Sequence, residues 1–93
     1  MIRQYSLAKD GNRRLAPDFK VRELRCRDGT DTVMVDEALT VVLQCIREHF
    51  GKAVTITSGY RTPAHNAKVG GAKSSQHLLG RAADIRVQGV SVE

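Results

Sequence analysis

Tryptophan is absent from this chain of 93 residues, and only four aromatic side chains occur: Tyr5, Phe19, Phe50 and Tyr60. They do not interleave with the basic residues, which argues against a base-stacking surface and against nucleic acid as a partner. Cysteine is scarce as well. Cys26 and Cys45 form no Cys-x-x-Cys pair, so neither a disulfide scaffold nor a cysteine-built zinc site is expected, and both read as small buried side chains. No apolar run approaches the ~20 residues of a membrane span. Residues 1–10 lack the apolar stretch of a secretory signal, so the product is expected in the cytoplasm on synthesis. The length leaves no room for a second domain, and residues 1–93 read as one, with residues 1–16 as a basic N-terminal arm. A domain of this size buries only roughly 60–65% of its unfolded surface, so its stability margin is thin.

What the chain does contain is an ordinary globular mixture, 41% hydrophobic and 27% charged, which excludes disordered and fibrous classes. The net charge of +5 lies entirely in residues 1–27, where eight basic side chains face three acidic ones. Residues 28–93 balance at seven and seven. A basic segment on a neutral body suits an anionic partner such as an acidic cell wall, and equally suits a solvated, solubilising face.

Residues 1–16 hold no sustained period and include the turn signal Asp10-Gly11-Asn12, which predicts an extended arm or a short hairpin. Pro17 to Arg25 reads as a short helix, with Pro17 at its first position. The strongest helix follows: Asp36 can cap it, Leu39, Val42, Leu43, Ile46 and Phe50 form one stripe, and Gly51 stands where a left-handed terminator belongs. His49 sits at its end, where the helix dipole favours a histidine. Ala53 to Ser58 alternates and is β-branched, which predicts a strand. Gly59 to Ser75 reads as a loop, and Ala83 to Val87 as a second strand. Helices first and strands later favour α+β.

The densest chemical signal is Ser75-Gln76-His77-Leu78-Leu79-Gly80-Arg81-Ala82-Ala83-Asp84. A glycine that permits a sharp turn and alanines that permit close packing separate an imidazole from a carboxylate. Such a turn can bring His77 and Asp84 together as two donors for Zn²⁺; a simple hydrogen-bonded pair reads as well. Upstream, Ser58-Gly59-Tyr60-Arg61 places Arg61 at the end of a strand. A guanidinium there can hold a substrate carboxylate or a developing oxyanion, or can be an ordinary surface arginine.

Ser75-x-His77-x-x-Gly80-x-Ala82-x-Asp84, preceded by Ser58-Gly59-Tyr60-Arg61, resembles the zinc D-Ala-D-Ala carboxypeptidase family. That family includes phage L-alanyl-D-glutamate endolysins and vancomycin-resistance dipeptidases, and has the Hedgehog/DD-peptidase fold. The resemblance runs from about Phe19 to the C-terminus; Phe19-x-x-x-Glu23, Gly29, and Asn66 with Gly70-Gly71 are similar to its phage-type branch. It implies a small antiparallel sheet with helices packed on it, Zn²⁺ held by His77 and Asp84, and a peptidoglycan peptide as substrate. Arg61 would hold the substrate or polarise the scissile carbonyl, and Ser75 would line the substrate site.

One part of the family pattern is missing. The third zinc ligand is a histidine further along, accompanied in several branches by a catalytic glutamate, and here no histidine follows His77 before Glu93. His65 lies in the loop after Arg61 and is expected to face substrate, with completion of the zinc site as the alternative. Two functions therefore stand: a zinc-dependent wall peptidase, incomplete as this chain, or a non-catalytic module of that family which binds zinc or a wall peptide. A further expectation follows from an incomplete chain. A missing strand would leave a sheet edge exposed, a template for self-association.

Overall fold

A computed structural model describes residues 1–90, and they form an α+β fold of three two-stranded antiparallel ladders and one long helix. In chain order the elements are β1 (Ile2–Ser6), α1 (Leu7–Asp10), β2 (Arg14–Ala16), β3 (Phe19–Lys20), a 3₁₀ turn over Val21–Leu24, β4 (Thr32–Asp36), α2 (Glu37–Phe50), β5 (Val54–Ser58), α3 (Pro63–Lys68), a second 3₁₀ turn over Gln76–Leu79, and β6 (Asp84–Val87). β1 pairs with β4, β2 with β3, and β5 with β6.

The first 3₁₀ turn packs against both β4 and β5 and so links the first ladder to the last. Arg27 holds that turn in place. Its guanidinium donates to the Ile56 carbonyl at 2.6 Å and to the Glu23 carbonyl at 3.3 Å. Phe19, Val21 and Leu24 from the β3 turn segment meet Val33 and Val35 of β4, Leu43 of α2, and Val54, Ile56 and Val87 of the last ladder in a single core. Full burial of such a side chain contributes about 1.5–3 kcal/mol.

Residues 1–16, expected as an arm or hairpin, are built into the fold instead. β1 runs in register from Ile2 opposite Asp36 to Ser6 opposite Thr32. Asp31 then fixes the start of α1: its side chain accepts from the Ala8 amide at 2.8 Å and the Ser6 hydroxyl at 2.7 Å. The partner strand β4 was not expected at all, although Thr32-Val33-Met34-Val35-Asp36 alternates cleanly with Val33 and Val35 buried. The helix expected over Pro17 to Arg25 is a two-residue strand followed by one 3₁₀ turn.

α2 begins and ends as its sequence predicts. The Asp36 side chain accepts from the Ala38 amide, and Gly51 closes the helix at φ 61°. Its buried face is different from the expected stripe. Thr40 and Leu43 are buried, Leu39 and Ile46 are partly packed, and Val42 and Phe50 are exposed. β2 and β4 pack against α2, and the part of the stripe outside that contact, Val42 and Phe50, stays exposed. Cys45 also faces solvent, whereas Cys26 is buried as expected. Among the described residues, no helix is long and apolar enough to cross a membrane.

Gly80 docks the second 3₁₀ turn onto β4. It adopts φ 70°, its carbonyl accepts from the Asp36 amide at 2.9 Å, and a Cβ there would run into the Met34 carbonyl. Gly70 has a similar φ of 76° but open space around the missing Cβ. Gly70→Ala is therefore expected to cost about 1 kcal/mol, the backbone penalty alone. Gly80→Ala adds a backbone collision, and thermal denaturation should show at least twice that loss, a fall of roughly 10 °C or more for a domain of this length.

Hydrogen bonds hold four carboxyls below the usual carboxylate range: Asp28 chiefly through Thr30, Asp31 through the Ala8 amide, Asp36 through the Ala38 amide and Glu37 through Arg3. Because the folded values are depressed, their stabilisation is present above the unfolded pKa of about 4 and is lost as pH falls through the folded values. Melting temperatures measured across pH should hold steady above pH ~5 and fall below pH ~4; Asp31→Asn should flatten that fall.

Candidate functional site

β5 delivers the site at its C-terminal end. Past Ser58 the chain continues as Gly59-Tyr60-Arg61, pressed between two backbones. The Tyr60 amide donates to the Leu24 carbonyl at 3.0 Å on one side, and the Arg61 amide to the His77 carbonyl at 3.0 Å on the other. Only glycine fits at 59: a Cβ there would lie 2.7–2.9 Å from the Leu24 backbone. Tyr60 is buried, which raises its phenol pKa above the ordinary value.

The Arg61 side chain is 15% exposed and makes three bonds. Nε donates to Ser58 Oγ at 3.1 Å, Nη1 to Asn66 Oδ1 at 3.3 Å and Nη2 to Asp84 Oδ2 at 3.3 Å. Asn66 is 3% exposed and is itself fixed, with Nδ2 donating to the Ala72 carbonyl at 2.8 Å. The glycine pair has a purpose here. Gly70 takes a left-handed turn, and at Gly71 any Cβ would overlap the Asn66 amide oxygen and sit 3.1 Å from Arg61 Nη1. The segment read from sequence as a plain loop thus contains α3, started by Thr62 as cap and Pro63 in its first turn, which carries Asn66 to the guanidinium.

His77 is 8% exposed, in the second 3₁₀ turn. Its Nδ1 lies 2.7 Å from the Gly59 carbonyl. A carbonyl can only accept, so Nδ1 carries the proton and the neutral ring presents the lone pair on Nε2. That nitrogen stands 3.6 Å from Asp84 Oδ2, the same oxygen that Arg61 reaches. Asp84 is the first residue of β6, opposite Ser58, and its side chain is 59% exposed. Ser75 caps the turn, its hydroxyl accepting from the His77 amide at 3.3 Å.

The structure therefore brings Arg61, His77 and Asp84 to one point and places Ser75 behind His77. Bonds of about 2.0–2.2 Å at a tetrahedral angle put a histidine nitrogen and a carboxylate oxygen roughly 3.4 Å apart, so the 3.6 Å pair fits two adjacent zinc ligands. A histidine ligand whose other nitrogen donates to a backbone carbonyl is the usual second layer of such sites. Among the described residues, no third histidine, cysteine or acidic donor joins this pair. His65 belongs to a different group, with Cys26 and Asp28, whose ligand atoms all lie within 4.8 Å of one another. That grouping escaped the sequence reading because 39 residues separate Cys26 from His65. Asn66 and Ser58 were legible only as parts of the family pattern, Asn66 with Gly70-Gly71 and Ser58 at the head of Ser58-Gly59-Tyr60-Arg61, and their bonds to Arg61 were not. His49 packs edge-on against Phe50 at the exposed end of α2.

No solved structure matches the chain significantly. A zinc D-Ala-D-Ala carboxypeptidase from Streptomyces albus G is 43% identical over 44 residues, a match covering 46% of this chain and 17% of that relative. The chain thus aligns with less than a fifth of the relative's length. The family described as peptidase M15 matches residues 17–93, a span that includes all four of the side chains singled out above, and by that match the chain belongs to the peptidase M15 family.

Proposed function

We propose that this chain supplies the substrate arginine and two zinc ligands of a peptidoglycan peptidase with the Hedgehog/DD-peptidase fold. The observation that carries the reading is the approach of His77 Nε2 to Asp84 Oδ2, at 3.6 Å, with the imidazole locked in the tautomer that leaves Nε2 free. Zinc and a D-Ala-D-Ala peptide are taken from the relative's description and extended here to this chain, with peptidoglycan as the source of that peptide. Zn²⁺ on His77 and Asp84 would supply Lewis-acid polarisation of the scissile carbonyl.

Arg61 has five N–H groups, three of them engaged by Ser58, Asn66 and Asp84. The two that remain, one on each terminal nitrogen, are the donors for a wall-peptide carboxylate or a developing oxyanion. Its bond to Asp84 aims that carboxylate, while Ser75 orients His77 through the turn. Cleavage of a D-Ala-D-Ala or an L-Ala-D-Glu bond, in an endolysin-type role after release from the cell, is the substrate range proposed.

The second reading, a module that binds zinc or wall peptide without cleaving it, rests on the count of donors. A catalytic zinc takes three protein ligands, and the described residues bring two to this point. For the 93-residue chain, zinc binding at His77 is accordingly expected to be weak and hydrolysis slight. Nitrogen NMR of the imidazoles during Zn²⁺ titration should show the His77 ring perturbed, and Asp84→Asn should abolish the effect. An unperturbed His77 ring at millimolar Zn²⁺ would refute the ligand assignment. Chromatography of a D-Ala-D-Ala peptide incubated with the chain and Zn²⁺ separates peptidase from binding module.

Arg61→Ala should lower kcat/KM on that peptide by about a hundredfold or more, the scale of one lost oxyanion donor, in whatever length of chain turns it over. The His77 response to Zn²⁺ should persist. An unchanged rate would remove Arg61 from the reaction.

A further inference from the structure

On the opposite flank of the Gly59–Asn66 segment from the His77–Asp84 pair, three side chains of different chemistry converge. Cys26 Sγ, a carboxylate oxygen of Asp28 and a ring nitrogen of His65 all lie within 4.8 Å of one another. Thr62 knits them together. Its amide donates to Cys26 Sγ at 3.4 Å, and its hydroxyl donates to Asp28 Oδ2 at 2.9 Å while accepting from the His65 amide at 3.2 Å. The other oxygen of Asp28 accepts from the Thr30 amide at 2.9 Å. The carboxyl is held well below the usual range, first by Thr30, then by Cys26 and Thr62.

We propose that Cys26, Asp28 and His65 form a second metal site, one that takes Zn²⁺ or a similar borderline-soft divalent ion. The donor set decides the class: thiolate, imidazole and carboxylate are the three protein ligands zinc prefers, and the sulfur selects against Mg²⁺ and Ca²⁺. Ligand atoms around a tetrahedral zinc stand about 3.2–3.7 Å apart, so closure from 4.8 Å needs roughly 1 Å of movement. Asp28 is exposed and His65 half-buried, and both can supply it, while the buried Cys26 stays fixed.

Position suggests what the ion does. It would tie the loop after the first 3₁₀ turn to the start of α3, across the backbone of Thr62. Arg61 precedes that residue and Asn66 follows four positions later. The ion thus braces the segment that aims the guanidinium. This inference does not depend on the His77–Asp84 reading, and cysteine ligation separates the two sites, because the first contains no sulfur.

The test uses Co²⁺ as a spectroscopic stand-in for Zn²⁺ in the full 93-residue chain carrying Cys45→Ala, which removes the exposed thiol. One equivalent of Co²⁺ should produce a near-ultraviolet sulfur-to-cobalt charge-transfer band with intense visible bands of tetrahedral geometry, and Zn²⁺ should bleach both. His65→Ala and Asp28→Asn, substitutions outside the core, should each weaken Co²⁺ binding tenfold or more with circular dichroism unchanged, whereas Asp84→Asn, at the exposed member of the other pair, should leave the band intact. Absence of the band, or a band indifferent to His65→Ala, would overturn the proposal.

Discussion

The hydrogen bond from His77 Nδ1 to the Gly59 carbonyl, 2.7 Å long and buried, is the constraint on which the rest of the site depends. It fixes the ring tautomer, and it couples the second 3₁₀ turn to the end of β5. The carbonyl is in reach because residue 59 has no side chain: the chain lies so close to the Leu24 backbone that any Cβ would collide. Leu24 in turn is 1% exposed and sits in the core between β4 and β5. The orientation of one imidazole is thereby referred to the hydrophobic core through two backbone contacts. A ring held in this way loses little further rotamer freedom when it takes a ligand.

Glycines recur wherever backbone must approach a functional group. Gly59 admits the strand to Leu24, Gly71 admits Asn66 to Arg61, and Gly80 admits the His77 turn to Met34 of β4. Each is a place where a polar bond is made at the expense of a side chain that would have contributed packing. In a domain with so little core, the fold recovers part of that loss through polar ties such as the three carbonyl contacts of Arg27 and the Asp31 bonds at the start of α1. A net hydrogen bond contributes about 0.5–1.5 kcal/mol, roughly half of what a fully buried apolar side chain contributes.

The segment Gly59–Asn66 serves two clusters at once. Arg61 and Asn66 face the His77–Asp84 pair, and Thr62 and His65 face Cys26 and Asp28. Alternation along an extended stretch, then the first turn of α3, is enough to send neighbouring residues to opposite flanks. The two clusters thus share one short stretch of backbone while drawing on different side chains.

Local rules were legible in the sequence. Asp36 and Gly51 mark both ends of α2, the β-branched alternation marks β5, and the Ser75-to-Asp84 run marks a turn that joins an imidazole to a carboxylate. Caps, alternation and tight turns depend on residues within a few positions of each other, so one dimension suffices. The family pattern added Arg61, because motifs record contacts already made in three dimensions. Tertiary structure alone decided the rest. Which face of α2 is buried depends on where the core lies, so Val42 and Phe50 stay exposed while Thr40 goes inside. The strand at residues 2–6 exists because Thr32–Asp36 offers it an edge 30 residues away in sequence. The meeting of Cys26 with His65 is of the same kind: a contact between segments remote in the chain, set by how β5 and the first 3₁₀ turn pack, which no local spacing can encode.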